Sequence, residues 1–179
     1  MKVIQIVSLF MLCASFVNLA HAEQKIGFVS TEAIIALLPM TKRANDELAD
    51  MQTKFLTQGQ GMQADMKAKY DELVAKNETG QLSDNLKQLG QQEMTQMQQD
   101  LNEHSQRSQE TLTKRRNVLF KPILKQVNET IQQVSKDLGF DIVLDVQEAG
   151  LLYGKSDYNL TREVLIAMGV DVSDIPELN

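Results

Sequence analysis

The sequence predicts an α+β protein in which a small body, formed by both chain ends, carries a long inserted antiparallel α-helical coiled-coil hairpin. From residue 41 to residue 138, apolar side chains recur at intervals of three and four, as on one face of a long helix. The pattern breaks once, near residues 77–83, where a turn is predicted. Residues 41–138 also hold equal numbers of acidic and basic residues, so the formal net charge of −6 comes from the ends.

Residues 1–22 have the composition of a secretory signal peptide, with one lysine, a short apolar run and the small-residue pattern Ala20-His21-Ala22. The apolar run is shorter than the ~20 residues that a membrane-spanning helix needs. Cleavage after Ala22 is therefore predicted, and the single cysteine, Cys13, leaves with the signal. The mature chain then has no thiol for disulfides, metal binding or nucleophilic catalysis.

The first part of the body, residues 23–40, contains a strand and a short helix. Ile26 to Val29 has the composition of a strand, and Ser30 or Thr31 can cap the helix that follows. Pro39 is expected to end that helix. So short a strand is unstable alone and must pair with the other chain end.

The second part of the body, residues 139–179, begins where Gly139 closes the returning helix. FDIVLDV and LLYG are predicted to be two strands that pair as a hairpin around the turn EAG, followed by a helix over residues 162–168. A body this small has too little core to support long arms, so self-association is expected. The predicted oligomerisation residues are Ile26, Phe28, Val29, Ile142, Val143, Leu144, Leu151 and Leu152.

The arm, the name used here for the hairpin of residues 41–138, is predicted from two apolar stripes. Two long helices joined by a short turn fold back on each other, which places Met62 opposite Met97 and Met66 opposite Met94. The outgoing stripe comprises Ala44, Leu48, Met51, Phe55, Met62, Met66, Tyr70 and Leu73. The returning stripe comprises Leu86, Met94, Met97, Leu101, Ser108, Leu112, Leu119, Ile123, Val127, Ile131, Val134 and Leu138.

Three residues are predicted to be hinges of the arm. Pro122 lies inside the returning helix, where it removes a backbone donor and clashes with the preceding turn, so a bend is expected near residues 118–122. Gly59 and Gly61 weaken the outgoing helix by up to ~1 kcal/mol each relative to alanine.

The arm is unusually polar, as the stretch GQQEMTQMQQDLNEH at residues 90–104 illustrates. Glutamine offers uncharged donors and acceptors, so such a surface can contact many sequences without demanding a partner of one charge. Two roles remain open for Met62, Met66, Met94 and Met97, namely packing between the two helices and direct contact with a bound chain. Leu56 and Val74 lie off the stripe and are candidates for exposed apolar contact.

No enzymatic site, cofactor or metal site is predicted. His104 is the only histidine outside the signal and is expected to be solvated or packed, and the carboxylates of Asp141 and Asp145 are expected to be solvated on one strand face. The basic residues of the returning helix could bind an anion, although ion pairing with acidic residues of the outgoing helix is favoured. That basic group is Lys114, Arg115, Arg116, Lys121 and Lys125, and its expected partners are Asp46, Glu47 and Asp50.

Several segments resemble the Skp/OmpH family of periplasmic chaperones. They are KIGFVSTEAIIALLP, KPILKQVNETIQQVSKDLGFDIVLD and LLYGKSDYNLTREVLIAMG, with a glutamine-rich helical hairpin between the first two. The resemblance implies a homotrimer of jellyfish shape, in which three bodies form one barrel and three arms hang from it as tentacles. It also implies that the space between the arms holds unfolded outer-membrane β-barrel proteins in the periplasm, without ATP.

The charge of the chain qualifies this expectation. Well-known members of the family have basic arms, whereas this chain is acidic with neutral arms, which argues against contact with lipopolysaccharide or anionic membranes. The acidic balance and the signal peptide also disfavour nucleic acid as a partner. A structural coiled-coil spacer of the cell envelope is the alternative function, and it would require a regular, leucine-rich stripe.

Overall fold

The computed structural model describes residues 24–173, so the predicted signal peptide, residues 1–22, lies outside the described part of the chain. Long helices dominate the described part, and a two-stranded sheet lies beside their root. The elements in chain order are β1 (Ile26–Val29), α1 (Thr31–Leu37), α2 (Pro39–Glu78), α3 (Asp84–Asp137), β2 (Ile142–Asp145), a 3₁₀ turn (Ser156–Tyr158) and α4 (Thr161–Ala167). None of these helices is long and apolar enough to span a membrane.

Helix α1 begins and ends as its sequence predicts. The Ser30 hydroxyl accepts a hydrogen bond from the backbone N–H of Ala33 at 3.2 Å, which caps the helix. Pro39 is the first residue of α2. A backbone N–H at this position has no partner within the helix, so proline costs no hydrogen bond there. The proline therefore separates the short helix of the body from the long helix of the arm.

The turn between α2 and α3 confirms the predicted helical hairpin. Gly80 adopts a left-handed backbone with φ of +69°, which a glycine enters without steric cost. The N–H of Gln81 reaches back to the carbonyl of Lys76 at 3.0 Å and closes the end of α2. The Ser83 hydroxyl then caps α3 by accepting from the N–H of Leu86.

The hydrophobic core lies at the root of the arm. α1 and α4 pack there against α3 and the beginning of α2. Between residues 45 and 122, Gly90 is the single buried residue, so the rest of the arm has no core of its own beyond the contact between its two helices. The buried apolar side chains are Val29, Ile34, Leu38, Ala44, Ile123, Val127, Val134, Leu160, Val164, Leu165 and Val172.

The sheet differs from the predicted hairpin. β2 pairs with β1, in parallel, with Ile26 opposite Ile142 and Phe28 opposite Leu144. The segment LLYG, residues 151–154, is not a strand in the described chain, and the prediction that it pairs with β2 is wrong. One edge of β1 pairs with β2. At its other edge, the backbone N–H of Leu160 donates a hydrogen bond to the carbonyl oxygen of Phe28 at 2.9 Å, and Phe28 forms an isolated bridge with Asn159.

Asp145 has a structural role that the sequence did not predict. Its carboxylate accepts hydrogen bonds from the N–H groups of Thr31, Gln147 and Glu148 at 2.9–3.0 Å, so it joins the start of α1 to the turn after β2. Burial alone raises the pKa of Asp145, but the bonds with Thr31, Glu148 and Gln147 outweigh burial and lower the pKa below its usual value. The expectation of a merely solvated carboxylate is wrong here.

Helix α4 confirms the predicted final helix to within one residue. The Asn159 side chain accepts from the N–H of Thr161 at 3.0 Å, and the Thr161 hydroxyl accepts from the N–H of Ser30 at 2.9 Å. The second bond ties the start of α4 to the end of β1. The two chain ends therefore form one packed unit around the arm root.

Candidate functional site

The contact line between α2 and α3, called the seam here, is half-buried along most of its length. Its residues follow alternating steps of four and three on both helices, which is the repeat of a coiled coil. Four cross-pairs fix the register: Glu47 with Arg115, Phe55 with His104, Lys69 with Glu93, and Leu73 with Gly90. The middle of the seam comprises Phe55, Gly59, Met62, Met66, Lys69 and Leu73 on α2 and Gly90, Met94, Met97, Leu101, His104 and Ser108 on α3.

The predicted contact residues separate into two groups. Met62, Met66, Met94 and Met97 occupy seam positions and are half-buried, so part of each side chain is exposed. Leu56 lies beside the seam with 61% of its surface exposed, and Val74 is also exposed.

Lys69 occupies the seam position that was predicted for Tyr70. The step pattern continues through Met62, Met66, Lys69 and Leu73, which turns Tyr70 outward and leaves 57% of it exposed. Lys69 Nζ lies 2.7 Å from Glu93 Oε2 on α3, and this hydrogen bond raises the pKa of the lysine. The placement of Tyr70 in the stripe is therefore wrong.

Gly90 is a buried seam residue that was not predicted from the apolar stripes. A Cβ on Gly90 would lie 2.6 Å from Cδ2 of Leu73, so the glycine lets the leucine side chain pack directly on the backbone of α3. The signal was present in the sequence, because Gly90 precedes Met94 and Met97 at seam spacing.

Two of the predicted hinge residues have different surroundings. Gly59 faces His104, whose Nε2 lies 3.0 Å from the carbonyl oxygen of Phe55 and whose ring meets the Phe55 ring edge-on. His104 is thus packed between the helices, one of the two outcomes expected of it. A Cβ on Gly61 would meet nothing within 4 Å, so this glycine makes no close contact.

Pro122 lies inside α3, which continues through it from Asp84 to Asp137. The proline borders a shallow groove with Met40, Ala44 and Ile123 at the arm root. It thus lies where the thinly packed arm meets the buried core. Its hinge role, like that of Gly59 and Gly61, stays a prediction.

Arg115, Lys114 and Lys125 of the predicted basic group lie near carboxylates. Arg115 donates from Nε to Glu47 Oε1 at 2.5 Å, which confirms the predicted pairing across the arm for this residue and raises the pKa of the guanidinium. Lys114 and Lys125 instead lie near carboxylates of α3 itself, at 4.0 Å and 3.7 Å. Arg116 lies over the ring of Phe120 with 5.3 Å between the guanidinium carbon and the ring centroid.

The body presents an exposed apolar face. The parallel register puts Ile26, Ile142 and Leu144 on one side of the sheet, where all three are exposed, and Phe28 on the same side is half-buried. The opposite side faces the core, because Val29 is buried and Val143 packs against the core. Of the two predicted residues that follow β2, Leu151 is half-buried, whereas Leu152 is 99% exposed.

The fold and the arm define a class of proteins in which a helical hairpin extends from a small α+β body. The family model described as OmpH, outer membrane protein (OmpH-like), matches residues 25–168, and the chain belongs to this family. The predicted Skp/OmpH resemblance is thereby confirmed.

Two known proteins show how far the similarity extends. Chaperone protein Skp of Vibrio cholerae is 29% identical over 161 residues, an alignment that covers 84% of this chain and 87% of that protein. The crystal structure of an OmpH-like protein from Caulobacter crescentus superimposes with a TM-score of 0.72 at 14% identity, covering 82% of this chain and 85% of the other. At that identity the superposition supports the fold alone, and it confirms the predicted fold class.

Proposed function

We propose that this protein is a periplasmic holdase chaperone that encloses unfolded outer-membrane β-barrel proteins between its arms and keeps them from aggregating. The observation that carries the proposal is the contrast between the buried core at the root and an arm in which Gly90 is the single buried residue between positions 45 and 122. An arm with so thin a core leaves its side chains free for weak contacts along its whole length, and its exposed apolar residues include Leu56 and Tyr70. The relative named chaperone protein Skp supports the chaperone class.

The proposal includes self-association of the body into a trimer. Ile26, Ile142, Leu144 and Leu152 are exposed on or next to the two-stranded sheet, and removing them from water would stabilise an assembly. Three copies would give the arms a shared interior. Sedimentation of the mature chain tests this part, and a monomer at micromolar concentration would contradict it.

The seam composition favours holding over scaffolding. A coiled-coil spacer needs a regular seam of leucine or isoleucine, whereas this seam contains methionine, glycine, lysine, histidine and serine. Methionine side chains adapt to irregular neighbours, so the half-buried methionines of the seam can also take part in client contact. Bending at Pro122, Gly59 and Gly61 would adjust the interior to clients of different size.

Release is proposed to occur by equilibrium exchange, without ATP. Weak contacts spread over a polar surface dissociate readily, and a client that folds elsewhere is removed from the equilibrium. Residues 24–173 contain no group of three or more potential metal ligands.

The test is the aggregation of a urea-unfolded outer-membrane β-barrel protein after dilution, followed by light scattering. Equimolar trimer is expected to suppress scattering to the same extent with ATP and with an ATP-removing enzyme. A matched amount of the arm-deleted variant described in the Discussion controls for nonspecific crowding. Unchanged aggregation with the intact protein would reject the holdase function.

A further inference from the structure

The two sides of the seam differ in charge. The seam residues of each helix form two sets, each repeating every seven residues. One row consists of the residues directly after the first set, which is Phe55, Met62 and Lys69 on α2 and Gly90, Met97 and His104 on α3. The other row consists of the residues directly before the second set, which is Gly59, Met66 and Leu73 on α2 and Met94, Leu101 and Ser108 on α3, and each row stays on one side of its helix. The following rows form the glutamine flank, comprising Leu56, Gln63, Tyr70, Gln91, Gln98 and Ser105. The preceding rows form the charged flank, comprising Gln58, Asp65, Glu72, Glu93, Asp100 and Arg107.

Contacts show that each flank combines one row from each helix. Lys69 Nζ lies 3.8 Å from Glu72 on α2 and 2.7 Å from Glu93 on α3, so the preceding rows of the two helices share one side of the arm. Asp100 and Arg107 likewise border one groove beside Met62. The following rows therefore lie together on the opposite side, and none of their six residues is charged at neutral pH. Lys67, which follows Met66 and lies one turn from Gln63, pairs with Asp71 of the same helix at 2.8 Å.

We propose that the glutamine flank is the surface of the arm that binds clients, and that its occupant is an extended, uncharged segment of an unfolded β-barrel protein. The proposal rests on the holdase function and identifies the face that performs it. An uncharged flank contacts such a segment without removing any charge from water, whereas the charged flank would have to desolvate carboxylates. The amides of Gln63, Gln91 and Gln98 can bond the unpaired backbone groups of an extended chain.

The spacing of the two apolar side chains fits that occupant. Leu56 and Tyr70 are two seven-residue repeats apart, which is about 21 Å along a helix. An extended chain rises about 3.4 Å per residue, so six residues span the same distance. Residues six apart in an extended chain point to the same side, and membrane strands of β-barrels place apolar residues on one side at every second position. Val74, one turn beyond Tyr70, extends the same apolar surface.

The experiment compares two exposed glutamines of α2 that lie on opposite flanks. Gln63→Glu and Gln58→Glu change the net charge equally, in the same helix, at residues that are both exposed. The readout is the affinity for a fluorescently labelled, urea-unfolded outer-membrane β-barrel protein, with helicity and sedimentation measured for each variant. Gln63→Glu is expected to weaken binding roughly threefold or more, and Gln58→Glu to leave it unchanged. The double variant Leu56→Gln/Tyr70→Gln is expected to weaken binding roughly tenfold.

The outcomes separate this inference from the function on which it rests. If the unaltered protein binds the client and the two glutamine variants behave alike, the flank assignment is overturned and the holdase function stands. If the unaltered protein does not bind, both are overturned. Should Gln63→Glu fail to fold, a photoreactive residue at position 63 is expected to cross-link to the client and one at position 58 is not; equal cross-linking at both overturns the inference.

Discussion

Leu73 packs its side chain directly on Gly90, where the two helices of the arm approach its tip. Cδ2 of Leu73 would lie 2.6 Å from a Cβ at position 90, whereas a Cβ at Gly61 would meet nothing within 4 Å. Changing each of these two helical glycines to alanine therefore separates the effect of packing on stability from the effect of helix propensity.

Gly61→Ala is expected to stabilise the arm by up to ~1 kcal/mol, because alanine is the better helix former. Gly90→Ala is expected to destabilise it, since overpacking costs about 1–3 kcal/mol and exceeds that gain. Hydrogen exchange of the amides around residue 61 in one variant and around residues 73–90 in the other measures each effect locally. Equal protection in the two variants would show that Leu73 moves aside freely.

Asp145→Asn is expected to destabilise the body by about 1–2 kcal/mol at neutral pH, because the three N–H groups that bond the carboxylate lose a charged acceptor. Urea unfolding of the body measures the change. Asp157→Asn, on an exposed residue of the 3₁₀ turn, is the matched control and should have little effect.

The lowered pKa of Asp145 predicts that the stability of the body depends on pH. A carboxyl group whose pKa is lower in the folded state than in the unfolded state stabilises the fold above the unfolded pKa, about 4. That contribution is lost as the pH falls through the folded pKa. The stability difference between wild type and Asp145→Asn should therefore shrink on acidification below pH of about 4, and a difference that grows there would contradict the assignment.

Removal of residues 50–110, with the two helices rejoined by a short glycine-rich turn, is expected to leave a folded, oligomeric body that no longer holds clients. Every buried residue except Gly90 lies outside the deleted segment, so the core remains complete. Circular dichroism, sedimentation and the aggregation assay test the three parts of this expectation. An unfolded remainder would show that the arm is needed for the body to fold.

Pro122→Ala is expected to narrow the range of arm positions, because alanine restores the backbone donor that proline removes and relieves the clash with the preceding turn. Small-angle scattering of the assembled protein measures the spread of the arms. The exposed residue Lys121, changed to alanine, is the control in the same turn. An identical spread for both variants would remove the hinge role of Pro122.

The helical hairpin could be predicted from the sequence because its signals are local. Steps of three and four extend over many turns, and Gly80 and Ser83 mark the single interruption. The phase of the seam at Lys69 could not be predicted, because both Lys69 and Tyr70 fit steps of three or four between Met66 and Leu73. The more apolar side chain of Tyr70 favours the tyrosine as the seam residue. Lys69 occupies the seam instead, where it pairs with Glu93 of the opposite helix.

The sheet was harder to predict because strand pairing is not local. The segment of residues 151–154 has the composition of a strand and follows a turn, which favours a hairpin with β2. In the structure, β1 pairs with β2 from the other end of the chain, as predicted, but residues 151–154 do not join the sheet and Leu152 stays exposed. No pattern within residues 139–154 contains that information. The two flanks of the arm could be assigned only once the cross-pairs had fixed the register.

The parallel pairing of β1 with β2 also constrains the order of events when the chain folds. The backbone N–H of Lys25 donates to the carboxylate of Asp141 at 2.9 Å, although 116 residues separate the two in the chain. The sheet cannot form until nearly the whole polypeptide has been made, and closing so long a loop from a random chain is entropically unfavourable and slow. The hairpin, whose contacts start at its own turn, can zip from the tip toward the root and deliver the two strands to each other.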